Sequence, residues 1–508
     1  MYFYLMFVRR KKNKSGIFSI QVIDKSSGKY KMLKTIGSSA DKNKIEELVR
    51  LGEDWIKAKT NSLEFDFNND RRSTEEVLNN IEQINICGTT LLLGKLFDEV
   101  GFDQIGSELL KNLVILRLSF PASKLKTVNL LQKYQSTDIN VQEVYRYLDK
   151  LYSTHKELVQ QISYQHTLKI LGNVISIVFY DVTTLYFQID DEDEIRKRGF
   201  SKEGRHQNPQ IVLGLLVSVG GYPLSYEIFE GNKFEGHTML PIIESFKVKY
   251  NLGKLVIVAD SGLLSNQNIN ELQEKGYEFI LGARIKNETD VVKEKILGLG
   301  LKDGQSKIIN KQGSLRLIIS HSDKRAKKDM HNRVRGIERL EKKIKSGKLT
   351  KSSINNRGYN KYLKMEGEIN VTIDKEKSEL DKEWDGLKGY VTNTDLSAKA
   401  IMENYGHLWK IEQAFRISKH DLKIRPIYHR LQRRIEAHIT INFASYKIYK
   451  ELERQLKIKV SGLSPEKAIE IAKTIYSIKV YVPALKESIT KILVINDEQK
   501  NLINLFDL

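Results

Sequence analysis

The stretch Val174-Ile175-Ser176-Ile177-Val178-Phe179-Tyr180-Asp181-Val182-Thr183-Thr184-Leu185-Tyr186-Phe187 decides how the rest of the chain is read. Its density of β-branched and aromatic residues predicts a strand. Asp181 is the odd residue in it, because a lone carboxylate among such neighbours is costly unless it is paired or bound to metal. Two more strand-like runs follow, Ile211 to Val219 and Leu224 to Phe229, around the turn Gly220-Gly221-Tyr222-Pro223. Three consecutive antiparallel strands are therefore expected.

Next come a helical stretch from His237 to Tyr250, the apolar run Leu255 to Ala259 ending in Asp260, a second helical stretch from Asn266 to Lys275, and a strand-like run from Tyr277 to Ile285. Strands alternating with helices imply parallel crossovers. The whole order predicts an α/β fold, a ribonuclease H-like core with a mixed five-stranded sheet that lacks only its final helix. Ser397 to His420 supplies a candidate for that helix, with Asp395 or Ser397 able to cap it and Pro426 shortly beyond its end. From Ile285 to Asp395 run about 110 residues (395 − 285 = 110), more than a loop needs. They predict a β-rich inserted domain, with strand-like pieces at Ser306 to Ser320 and Ile369 to Thr392 around a segment loaded with lysine and arginine, Lys324 to Lys351. That segment reads equally well as a solvated helix or as a DNA contact.

Toward the ends the texture differs. Residues 5–36 alternate apolar and polar around Lys14-Ser15-Gly16 and Ser26-Ser27-Gly28, which predicts short antiparallel strands. The region from Asp41 to Gln165 has helical periodicity, and the chain is helical again after Arg430. The expected division is 1–165 for an N-terminal hairpin and helical DNA-binding region, 166–286 and 396–430 for the core, 287–395 for the insertion and 431–508 for a mainly helical C-terminal part.

Composition narrows the partner. The 508 residues carry 83 Lys and Arg against 64 Asp and Glu, a formal charge of +19, which suits a polyanion and points first to nucleic acid. Cys87 is the only cysteine, which excludes an internal disulfide and a cysteine-rich zinc site and fits a reducing compartment such as the cytoplasm. No window approaches a membrane span, and the apolar start Met1 to Val8 is too short, with its basic run on the wrong side, for a signal peptide. The ten histidines show no pairing at zinc-ligand spacing, and no glycine loop of the nucleotide-binding kind is present.

Breaking a phosphodiester without a covalent intermediate needs an activated water or hydroxyl and a stabilised leaving oxygen. Two magnesium ions, for which manganese can substitute, do both and prefer carboxylate ligands. Asp181 and Asp260 fit that need, although each alone reads as a structural or turn-capping aspartate. A third acid lies in Tyr405-Gly406-His407-Leu408-Trp409-Lys410-Ile411-Glu412-Gln413-Ala414-Phe415-Arg416-Ile417-Ser418-Lys419. Tyr405, Glu412 and Lys419 are spaced by seven (412 − 405 = 7; 419 − 412 = 7) and would share one stripe of a helix. An ordinary amphipathic helix gives the same pattern, and Gly406 weakens its first turn. His206 and His237 are further candidates near the acids, or ordinary surface histidines.

The two strand acids, the helical glutamate and the pattern Y-x2-L-x3-E-x6-K resemble the DDE transposases of bacterial insertion sequences, in the family whose last helix carries Y-x2-R-x3-E-x6-K and whose core is interrupted by a β-rich domain. The phrases Asp181-Val182-Thr183-Thr184, Gly199-Phe200-Ser201-Lys202, Ala259-Asp260-Ser261-Gly262-Leu263-Leu264-Ser265 and Arg425-Pro426-Ile427-Tyr428-His429 fit as well, over roughly residues 174–440. The resemblance implies that Asp181, Asp260 and Glu412 are catalytic metal ligands and that Tyr405 and Lys419 contact phosphates near the cleaved end. It implies a homodimer on double-stranded DNA, holding transposon terminal inverted repeats and target DNA. Leu408 departs from the signature arginine, and Arg416, one turn beyond Glu412, is the candidate replacement. Trp384, which lies 28 residues before Glu412 (412 − 384 = 28), is a candidate to stack on a flipped base, or else to pack the inserted domain. The expected reaction is cleavage at transposon ends followed by strand transfer. A structure-selective nuclease without joining and an inactive DNA-binding regulator are the alternatives.

Overall fold

The computed structural model describes residues 6–60, 75, 77–201, 204–346, 349, 354–355, 358–366, 370–483 and 485–508. Lys202 and the end of the basic segment at Lys351 lie outside these residues. By contacts the chain divides into two units, Met1–Glu82 with Val480–Ile489, and Gln83–Lys479 with Thr490–Leu508.

In the first unit, β1 (Met6–Lys12), β2 (Phe18–Asp24) and β3 (Lys31–Ser39) form the antiparallel sheet that alternation predicts, in the order β1-β2-β3. Helix α1 (Lys42–Thr60) packs on it. A strand the sequence reading missed, β4 (Ile81–Ile86), follows.

Helices α2 (Gly88–Val100), α3 (Glu108–Ser119), α4 (Lys124–Gln135), α5 (Val141–Lys150) and α6 (Lys156–Ile170) come next. Their caps are local and legible: Ser107, Ser123 and Asn140 each accept a backbone N–H from the first turn of α3, α4 and α5.

The core then runs β5 (Ile177–Tyr186), β6 (Gln210–Ser218), β7 (Pro223–Glu230), α7 (Met239–Lys249), β8 (Val256–Ala259), α8 (Asn266–Glu274) and β9 (Glu278–Ala283). β6 pairs antiparallel with both β5 and β7, and β8 and β9 continue parallel to β5 on its other side. This is the predicted succession.

The insertion differs from expectation. It contains α9 (Asp290–Leu297), β10 (Ser306–Asn310), β11 (Arg316–His321), the 23-residue α10 (Asp323–Lys345), β12 (Leu363–Glu366), β13 (Asn370–Ile373), α11 (Lys375–Lys382) and β14 (Leu387–Thr392). It is not dominated by strands, and the basic segment is largely helix α10. Nor does it stand apart, because β14 pairs with β9 and the order β10-β11-β14-β9-β8-β5-β6-β7 makes one eight-stranded sheet instead of five strands. The physical reason is the edge of β9: Phe279, Ile280 and Leu281 are all fully buried, and an unpaired apolar strand there would leave backbone groups without partners.

The final elements are α12 (Ala398–Gly406), α13 (Trp409–Arg416), the long buried helix α14 (Gln432–Ile458), α15 (Pro465–Ala472), β15 (Tyr476–Val482), β16 (Glu487–Leu493) and α16 (Asp497–Phe506). The hairpin β15–β16 interrupts the helical end and joins β4 in a separate three-stranded sheet.

Two apolar clusters clothe the main sheet. Odd-numbered residues of β5 such as Phe179 and Leu185 enter the cluster shared with Tyr405, Ile411 and α14, while Val178, Tyr180 and Val182 face the cluster containing α7.

Candidate active site

That alternation positions the site. Asp181 shares the parity of Phe179, and Asp260 lies two residues beyond Val258, another member of the same cluster. Phe179 pairs with Val258 across the parallel β5–β8 ladder, so continuing the register by two residues sets Asp181 beside Asp260. The row extends further, for Val258 pairs with Ile280 and Tyr390 pairs with Gly282. Asp181, Asp260, Gly282 and Tyr390 thus lie across four neighbouring strands on one face, at the carboxyl ends of β8 and β9, where sites gather in α/β sheets.

The third acid comes from above this face. Ser397 caps α12 through the Ala400 N–H, as one of the two expected candidates. The helix is not continuous to His420: it breaks at His407, restarts at Trp409 and closes as a wider turn over Ile417–Asp421. The seven-residue stripe therefore does not hold as a straight line. Glu412 is exposed on α13, while Ile411, Ala414 and Phe415 anchor that helix in the apolar cluster.

A cavity of about 220 Å³ is lined by Asp181, Asp260, Glu412, Lys388, Tyr405, Leu408 and Trp409, among others. All three predicted acids meet there. Among the described residues no three His, Cys, Asp or Glu side chains approach closely enough to form a closed metal-ligand set. The donor chemistry nonetheless suits a hard divalent cation, since three carboxylates share one cavity.

Tyr405 is buried, and its hydroxyl donates to Asp260 Oδ1 at 2.9 Å. Burial, and then the neighbouring Asp260 charge, push the phenol well above its ordinary pKa. Gly282 makes that contact possible, because a Cβ at this position would collide with the Tyr405 hydroxyl. Asp181 Oδ1 accepts the Val182 N–H at 2.7 Å.

Lys388 on β14 is a site residue that sequence reasoning missed. Its ammonium lies 4.3 Å from the centre of the Tyr405 ring. Burial, with Arg325 adding to it, lowers its pKa, while Asp260 and Glu412 act in the opposite direction. A lysine in the apolar phrase Leu387-Lys388-Gly389-Tyr390-Val391 was a usable signal, of the same kind as Asp181. Trp409 was also missed; it is half exposed and lies beneath Lys410 Nζ at 3.9 Å.

The other predicted residues are placed differently. Leu408, at the signature arginine position, is buried in the apolar cluster. Arg416 is exposed and its charge acts on Asp421 and Glu466; neither it nor Lys419 lines the acidic cavity. His206 accepts the Ser201 N–H, and His237 packs edge-on to Phe234, both outside the cavity. Trp384 is partly buried against the second apolar cluster and lines an adjoining cleft of about 840 Å³ with Arg284, Lys286, Arg325, Lys361 and Lys388. Asp381 sits in that cleft; burial alone would raise its pKa, but hydrogen bonds from Lys286, Lys361 and Tyr362 hold it at about 2.

A carboxylate-lined cavity at the carboxyl ends of neighbouring parallel strands defines an α/β protein of the kind whose site is built on its central sheet. Residues 172–448 match the family model described as "Transposase DDE domain", and the chain belongs to that family, whose members generally use divalent metal ions. No curated protein matches the chain. Among solved structures, it is similar to a piggyBac transposase synaptic complex with hairpin DNA, at 9% identity and a TM-score of 0.38, with 76% of each chain covered. It is also similar to a Mos1 transposase paired-end complex with the left transposon end, at 9% identity and a TM-score of 0.16, covering 33% of this chain and 56% of that one. Among the described residues no helix is long and apolar enough to cross a membrane.

Proposed function

We propose that the chain cuts DNA at transposon ends and joins the freed 3′ hydroxyl to target DNA, on a ribonuclease H-like core with Asp181, Asp260 and Glu412 as the catalytic acids. The observation that carries this reading is the meeting of these three acids in one cavity of about 220 Å³. Their oxygens would hold magnesium or manganese, which when bound supplies charge stabilisation of the leaving oxygen and a more acidic nucleophile. Asp260 is oriented for this by the Tyr405 hydroxyl. Glu412 is carried on a helix anchored by Ile411 and Phe415, so its position follows from packing.

The adjoining cleft gives DNA a basic approach, with Arg284, Lys286, Lys388 and Trp384 on its wall. Lys419 and Arg416 would serve DNA outside the acidic cavity. Two protomers, each holding one terminal inverted repeat, complete the reading, which is that of an insertion-sequence enzyme of the bacterial cytoplasm.

The test uses linear DNA carrying transposon ends, a supercoiled target and Mg²⁺. Wild type should yield joined products, whereas Asp181→Asn, Asp260→Asn and Glu412→Gln should bind ends and cut neither strand. Cutting by any amide variant would overturn the assignment of the acids, and cutting without joined products would make the chain a nuclease.

A further inference from the structure

A second cavity, of about 580 Å³, lies where the end of α3, the start of α4, the segment 423–429 and α14 converge. Its lining includes Arg117, Lys124, Lys423, Arg425, His429 and His438 and, among the described residues, no carboxylate. Arg117 and Lys124 are each only 5% exposed. Buried cations are ordinarily paired, since removing a charge from water is costly without a counter-charge. Among the described residues Arg117 reaches only the carbonyls of Leu422 and Lys423, at 3.4 and 3.5 Å. Among the described residues the Lys124 side-chain nitrogen has no ion pair or side-chain hydrogen bond, and burial, with Arg117 adding to it, lowers its pKa well below the ordinary value. The neighbouring acid Asp149 is already engaged by Arg433 and Arg434.

The wall adds donors of the right kind. Lys124 and Leu125 open α4, a 12-residue helix, so their amide N–H groups have no acceptor within it and carry the positive end of its dipole. Burial and the charges of Lys124, Arg434 and Arg117 press the His429 pKa down to about 3. The whole region is starved of negative charge.

We propose that this pocket is a phosphate-binding site, distinct from the acidic cavity, that takes the phosphate of a nucleic acid strand or of a small phosphorylated anion. Its place favours the strand. Arg425, on the pocket wall, stacks on Tyr186 at 5.7 Å, and Arg205 covers the same ring at 4.7 Å. Tyr186 lies on β5, the strand that also carries Asp181, five residues from it (186 − 181 = 5) and about 17 Å away at strand rise. The phosphate chemistry of the pocket stands whether or not the chain cuts DNA.

The test compares full-length wild type, Lys124→Gln and Leu125→Glu, the last at an exposed position on the mouth. Inorganic phosphate, set against chloride at equal ionic strength, should raise the wild-type melting temperature in a saturable way. Both variants should lose that response. Duplex binding is then titrated with salt. A log-log slope shallower by about 0.9 in Lys124→Gln assigns the site to a DNA phosphate. An unchanged slope with the phosphate response lost assigns it to a free phosphate or nucleotide. The proposal is overturned if wild type shows no phosphate-specific stabilisation and the DNA slopes match, or if both variants respond to phosphate as wild type does. Should Lys124→Gln fail to fold, Leu125→Glu decides through the same two measurements.

Discussion

The Tyr405 hydroxyl donates a 2.9 Å hydrogen bond to Asp260 across 145 residues of sequence, through a gap that Gly282 leaves open. The bond fixes one carboxylate oxygen and leaves the other for a cation. Tyr405→Phe keeps the ring packed on Tyr390 but loses the bond. Divalent metal affinity, measured by Mn²⁺ calorimetry, should fall about 10- to 100-fold with little change in melting temperature. Wild-type affinity in this variant would remove the positioning role.

Gly282→Ala puts a methyl group where the hydroxyl lies, with the Ser261 N–H also close. Overpacking of this sort costs about 1 to 3 kcal/mol. In a double-mutant cycle by urea unfolding, Tyr405→Phe should relieve part of that loss, since the two positions share one contact. Strict additivity would show that the collision is absorbed elsewhere.

Lys388 lies in the field of Asp260 and Glu412 and would compete for their charge with a cation bound at the proposed site. Its pKa is lowered, chiefly by burial, so raising the pH neutralises it earlier than an ordinary lysine. Wild-type affinity for Ca²⁺ should therefore rise with pH on the alkaline side, and Lys388→Met should bind Ca²⁺ more tightly near neutrality with that rise removed. Parallel pH profiles in the two proteins would count against the competition.

Trp384 touches both an apolar cluster and the cleft, with Lys286 5.9 Å from its ring centre. Trp384→Ala should lower the melting temperature by a few degrees through lost packing and slow the step after first-strand nicking. An abasic site at the flipped position should restore the rate without restoring stability. Failure of that rescue would leave Trp384 as a packing residue alone.

Lys447 is fully buried on α14, donates to the Ser163 carbonyl at 3.1 Å and has its pKa pressed down by burial to about 7. The unfolded chain holds this proton up to about pH 10.5, so it binds more protons than the native state between pH 7 and 10.5, and Lys447 adds a term by which stability rises with pH across that window. Chemical denaturation of Lys447→Met should show a flatter profile there. Equal slopes in the two proteins would contradict the buried charge.

What the sequence made legible was local. The strand around Asp181, the strand ending at Asp260 and the Ser397 cap follow from residue texture and short-range spacing. The pairing of β14 with β9 does not, because nothing in the period of Leu387 to Thr392 says which edge it will cover. Lys388 was lost for that reason: its meaning depends on a partner strand about 105 residues earlier (388 − 283 = 105). The stripe of Tyr405, Glu412 and Lys419 assumed an unbroken helix, whereas the turn at His407 and the wider turn after Arg416 change the angle between them. Tyr405 still reaches the site, from its own helix and by way of the space at Gly282.

The joining of β14 to the core sheet also orders events on the ribosome. Asp181 and Glu412 are 231 residues apart (412 − 181 = 231), and the strand bearing Lys388 is made between them. At about 5 to 20 residues per second, roughly ten to fifty seconds separate synthesis of the first acid from that of the last. From the completion of β9 at Ala283 to that of β14 at Thr392 the edge of β9 lacks its neighbour, and the cavity lacks its glutamate until residue 412 is made. A ribosome that stops within the insertion releases a chain with two acids, an open apolar sheet edge prone to wrong pairing, and no means of completing the site. The proposed site is therefore complete only when the last fifth of the chain is being made.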